Sequence, residues 1–155
     1  MKGIVDPWRL VTPLKPKQEI PQEAKKRIDP AEIDFDADLR LQARYIFASP
    51  HGSIMVTGCN IPSEDAALRA LTRCIQTISL TKQGRDLLLQ AGIGHTFGDP
   101  PPYTRLETKS EPYASIYFIN QSYTEGMLQL IKVLNTVRRH LNINLNHWGV
   151  STTLR

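Results

Sequence analysis

Twice along the chain, a stretch alternates apolar and polar residues as a half-buried strand does, breaks at a turn, resumes, and then changes to a helical period. The first begins at Leu39, Leu41, Ala43 and Tyr45, runs through Ile46-Phe47-Ala48-Ser49, breaks at Pro50-His51-Gly52 and returns over residues 53–58 as Ser-Ile-Met-Val-Thr-Gly. Alternation at period two on both sides of a turn predicts a hairpin. Leu68, Leu71, Ile75 and Ile78 then recur at helical spacing, with Arg69, Arg73 and Gln76 on the other side, and predict an amphipathic helix over residues 63–79. Ser63 supplies a hydroxyl for the first-turn N–H groups, and Glu64 and Asp65 sit where the helix dipole favours negative charge.

The second stretch follows the same order. Residues 103–108, a turn at Lys109-Ser110-Glu111-Pro112 and residues 113–120 predict another hairpin. Thr124 then caps a helix over 124–142, with Glu125 in its first turn and Met127, Leu130, Ile131, Leu134, Val137 and Leu141 as its stripe. Between the two stretches, residues 82–93 predict a helix ending at Gly92 or Gly94. Residues 95–102 read as a rigid loop, because Pro100, Pro101 and Pro102 can join neither a helix nor an inner strand. The tail from His147 offers an edge strand. Two ββα units, by shared architecture or by duplication, predict an α+β fold: a twisted antiparallel sheet with helices on one face.

Charge and proline content set the N-terminus apart. Residues 1–27 hold seven Lys/Arg against Asp6, Glu19 and Glu23, whereas from residue 28 onward twelve basic residues balance twelve acidic ones. Five of the eleven prolines fall at or before residue 30. Proline removes a backbone donor and disfavours helix at the residue before it, so residues 1–30 are expected to form an extended basic arm. Residues 31–155 then make a single α+β domain. Trp8, Leu10, Val11 and Leu14, with Lys25, Lys26 and Arg27, are the candidate partner-binding residues of the arm, since large apolar side chains beside cations suit docking onto a protein or nucleic acid.

Catalytic and metal chemistry find little to stand on. His51, His95, His140 and His147 share no ligand spacing with Cys59 or Cys74, and no metal site or cofactor is expected. Asp34, Asp36 and Asp38 alternate along a strand and read as a solvated face in preference to a chelating set. No phosphate loop, nucleophile elbow or dinucleotide fingerprint occurs. No apolar run approaches the roughly 20 residues of a membrane span, and the first residues lack the apolar core of a signal peptide. The expectation is an intracellular, non-enzymatic protein with reduced cysteines.

Residues Ile46 to Ile78 carry one further signal. Ile46-Phe47-Ala48-Ser49, Gly52, Val56-Thr57-Gly58 and the Ser63-Glu64-Asp65 cap resemble a half-repeat of the TATA-box-binding protein family. There an IFASG-type strand end leads to an MVxTG-type strand and an acidic-capped helix. The resemblance implies minor-groove binding of double-stranded, A·T-rich DNA by a curved sheet, with apolar wedges that unstack base steps. It assigns Phe47 as a wedge and Met55 and Thr57 as groove-facing residues; internal similarity between the two units adds Tyr117 and Ile119. A nuclear location follows from the same resemblance.

Relative to that family, the hairpin is longer by Pro50-His51, and the paired wedge phenylalanine is missing. Two readings therefore stay open: a DNA-binding, transcription-type protein, or a structural or interaction subunit of a larger assembly, such as a multisubunit complex or a virus particle, tethered by its arm. Taken singly, Phe47 also fits a small sheet's core. Arg138-Arg139-His140 fits the C-terminal end of a helix better than a phosphate contact.

Overall fold

Helix formation in this chain is set at its caps. In the computed structural model the first helix, α1 (Glu64–Ile78), starts where the Ser63 side chain accepts from the backbone N–H of Ala66, with Glu64 and Asp65 in the first turn as expected. Its inner stripe is fully buried at Leu71, Ile75 and Ile78, and the Thr72 hydroxyl is satisfied by Leu68 O at 2.7 Å. Thr81 turns the corner into α2 (Lys82–Gln90): its hydroxyl donates to Ile78 O and accepts from Gly84 N–H. The third helix, α3 (Tyr123–His140), is capped by Ser122, whose side chain accepts from Glu125 N–H. Thr124, the expected cap, lies inside the helix instead.

The structure describes residues 43–155 and, before them, only the backbone pairing of β1 (Leu10–Val11) with β2 (Leu14–Lys15). The side chains of the expected arm, from Trp8 to Arg27, and Asp34, Asp36 and Asp38 lie outside the described residues. Residues 44–155 form one compact unit.

The expected single sheet is two three-stranded sheets. The first has the order β3 (Ala43–Ser49), β4 (Gly52–Gly58), β8 (Val150–Leu154), and β8 is the edge strand anticipated from the tail. The second has the order β5 (Ile93–Phe97), β7 (Ala114–Phe118), β6 (Thr104–Glu107), antiparallel throughout. Strand β5 corrects the reading of residues 95–102 as a loop: His95, Thr96 and Phe97 pair with Ile116, Ser115 and Ala114, and the irregular segment starts only at Gly98. The prolines end the strand but do not extend their influence back over it.

Both sheets draw on one core. Helix α1 packs on β4, β5, β6 and β7, and α3 packs on β4, β5, β7 and β8. Ile54 and Val56 of the first sheet and Ile116 and Phe118 of the second belong to the same buried cluster as Leu71, Ile75, Met127, Ile131 and Leu134. Close approaches at Gly149 and Gly126 need glycine. Gly149, left-handed at φ 69°, follows a 3-10 turn (Leu145–Trp148) and presses on the Thr57 carbonyl; the backbone N–H of Thr57 bonds back to Gly149 O at 2.9 Å. Gly126 of α3 lies flat against the ring of Phe118.

Alanine in a helix interior normally gains up to about 1 kcal/mol over glycine. At Gly126 the added methyl would overlap the Phe118 ring, and overpacking a core costs about 1–3 kcal/mol. Gly126→Ala is therefore expected to destabilise the domain by about 1–2 kcal/mol in denaturant unfolding, with Phe118→Leu suppressing much of that loss in the double variant. A Gly126→Ala domain more stable than the parent would show that Phe118 is free to withdraw.

Candidate functional site

Strand alternation assigns each side chain of the first sheet to one of two faces. On β4, Ile54 and Val56 are buried while Ser53, Met55 and Thr57 turn the other way. Register with β8 pairs Met55 with Ser151 and Ser53 with Thr153, so these four share the outward face. Thr152, opposite Ile54, points inward and hydrogen-bonds Asn135 of α3. On β3, Arg44, Ile46 and Ala48 are exposed, whereas Phe47 belongs to the core. The outward face thus carries Arg44, Met55 and Thr57, the hydroxyls of Ser53, Ser151 and Thr153, and Ile46 and Ala48 at its rim. No carboxylate of β3, β4 or β8 faces outward, because none of these strands contains one.

The residues expected at a groove-binding surface separate accordingly. Met55 and Thr57 lie together on the outward face, and the Thr57 hydroxyl donates to Gly149 O at 3.4 Å. Phe47 is only 6% exposed and part of the core, so its ring could meet a base step only if the sheet opened. Tyr117 belongs to the other sheet, in register with Gly94 and Arg105, and stacks on Tyr103 with centroids 5.7 Å apart. Ile119 lies beyond the end of β7, where its N–H bonds Gly92 O. Arg44, Ser53, Ser151 and Thr153 were not singled out from the sequence. The available signal was the alternation itself, whose outward members are as regular as its inward ones.

The fold also redraws the charge. With the boundary at residue 44, the compact unit holds eleven Lys/Arg and seven Asp/Glu, a net charge of +4. The neutrality read from residue 28 onward came from five carboxylates between Asp29 and Asp38, which fall before that boundary.

A second feature lies where two sheet edges come near each other. A cleft of about 200 Å³ is bordered by β3 at Ile46–Ala48 and β6 at Leu106 and Glu107, and closed by Glu64, Asp65 and Leu68 of α1 and by Tyr123. Among the described residues neither β3 nor β6 has a neighbour on that side. Asp65 is held by the β6–β7 loop: it accepts from the N–H groups of Lys109 and Ser110 and from the Ser110 hydroxyl at 2.6 Å, and these bonds keep its carboxyl below the usual range. Arg69 clamps the same loop through Pro112 O at 2.7 Å and Ser110 O at 2.9 Å. Glu107 pairs with Arg105 at 2.9 Å. Burial, and secondarily the charge of Glu64, push the hydroxyls of Tyr45 and Tyr123 up, so both remain neutral donors.

Among the described residues no group of three or more His, Cys, Asp or Glu could hold a metal ion, and no helix is long and apolar enough to cross a membrane. No protein-family model, no curated protein and no solved structure matches the chain.

Two titrations check the packing around these surfaces. Burial raises the Cys74 thiol to about 12, while Cys59 is exposed just past β4. At neutral pH a thiol reagent should label Cys59 quickly and Cys74 only after unfolding, since the thiolate is the nucleophile; two fast-reacting thiols in mass spectrometry would refute the buried position. Burial also lowers His95, in register with Ile116 and Leu106, below its ordinary 6.5. The unfolded chain then takes up a proton that the folded one resists, so stability should fall as pH drops below about 6.5. His95→Gln should flatten that slope in pH-dependent unfolding; an unchanged slope would place the effect elsewhere.

Proposed function

We propose that the chain is a non-enzymatic DNA-binding module whose ligand lies on the outward face of the first sheet. One observation carries this reading: that face combines Arg44 with Met55, Thr57 and three further hydroxyls, free of strand carboxylates, on a unit of net charge +4. Phosphate contacts draw on cations and are weakened by nearby carboxylates, and minor-groove proteins set apolar side chains such as Met against base steps. The resemblance of Ile46–Ile78 to the TATA-box-binding protein family supports the same ligand, A·T-rich duplex, and a nuclear site of action. The reading keeps Met55 and Thr57 as contacts and drops Phe47, whose inward ring serves the core. It takes β3–β4–α1 and β6–β7–α3 as two ββα units, and residues 1–30 as an extended arm that adds basic charge.

Duplex binding should weaken as salt rises, with a log–log slope of about 0.9 per phosphate contact. Met55→Glu and Arg44→Glu place charge on the outward face without entering the core. Each should reduce affinity for an A·T-rich duplex by about tenfold or more, roughly 1.4 kcal/mol, at an unchanged melting temperature. Phe47→Ala, by contrast, should cost about 3–5 kcal/mol of stability. Absence of duplex binding at low salt, or full affinity in Met55→Glu, would overturn the assignment.

A further inference from the structure

The cleft between β3 and β6 differs in chemistry from the outward face. Its rim is acidic, at Glu64, Asp65 and Glu107, and its lining is apolar, at Phe47, Leu68 and Leu106. Asp65 and Glu107 have partners in the loop amides and Arg105; Glu64 is exposed in the first turn of α1 and takes no part in either arrangement. An edge strand presents a row of unpaired N–H and C=O groups, and β3 keeps its cleft side open among the described residues. Beside that edge Ile46 is 58% exposed, a large apolar side chain that solvent does not favour.

We infer that this cleft is a docking site for an extended, basic peptide segment that adds to β3 as a further strand, seating one large apolar side chain against Phe47, Leu68 and Leu106 and its cations against Glu64. Main-chain hydrogen bonds to an open edge supply affinity in this mode, and alternate side chains supply specificity. The acidic rim decides the ligand class. It attracts lysine and arginine and repels the phosphates of a nucleic acid, so a protein segment is the occupant. About 200 Å³ holds one bulky side chain, not a folded element. The inference stands apart from the DNA reading in its charge and in the free edge of β3 that it uses; Ile46 and Ala48, at the rim of the outward face, are shared by the two surfaces.

The test uses fluorescence anisotropy with the full chain and a labelled KVKLKVK peptide, its acidic counterpart EVELEVE, and a KVKLKVK peptide N-methylated at alternate residues. The unmodified basic peptide is expected to bind. N-methylation, which removes the strand-pairing donors and leaves the side chains, should weaken it by about tenfold or more, and Glu64→Lys should reverse the preference toward EVELEVE. Equal binding of the methylated and unmodified peptides, or no binding of the basic peptide, would overturn the strand-addition site. So would an unchanged charge preference in Glu64→Lys.

Discussion

Neither three-stranded sheet could stand alone, and the shared core beneath them is what the rest of the structure depends on. Small isolated sheets are marginal in water unless one face is covered by another element. Here α1 and α3 cover both: Leu71, Ile75 and Ile78 from one helix and Met127, Ile131 and Leu134 from the other meet inward residues of β4 and β7. Burying each such side chain contributes about 1.5–3 kcal/mol. The arrangement has little slack where Gly126 meets Phe118 and where Gly149 meets Thr57.

That core also settles what remains at the surface. Once Phe47, Ile54 and Val56 turn toward the helices, their strand neighbours Ile46, Met55 and Thr57 turn away, and the first sheet acquires an outward face without carboxylates. Two carboxylates, Glu64 and Asp65, sit instead at the N-terminus of α1, where the helix dipole favours them and the amides of the β6–β7 loop hold Asp65. The molecule therefore separates a cation-bearing sheet face from an acid-rimmed cleft, and the two suit opposite kinds of ligand.

Much of the local structure was legible. The boundaries of α1 followed from Ser63 and its apolar stripe. The hairpin of β3 and β4 followed from alternation around Pro50-His51, and β8 from the tail. The cap of α3 was misplaced by two residues although Ser122 and Glu125 have the spacing of a capping box, a signal that Thr124 obscured. Strand β5 was missed because its alternation is weak: Gly94 has no side chain, and His95, a polar type, points inward. Only pairing with β7 makes it a strand.

By itself the sequence determined the three helices to within a few residues at their ends and both hairpins, because caps, turns and periods act over a few residues; only the expected end of α2, at Gly92 or Gly94, overran into β5. It also limited Ile46 and Phe47 to opposite faces, since side chains alternate along a strand. Which of the two faces inward was decided by tertiary structure, through the side on which α1 and α3 pack. The division into two sheets and the positive charge of the compact unit were decided there as well. Sheet pairing and the position of a domain boundary depend on contacts between residues far apart in the chain, and no local pattern records them.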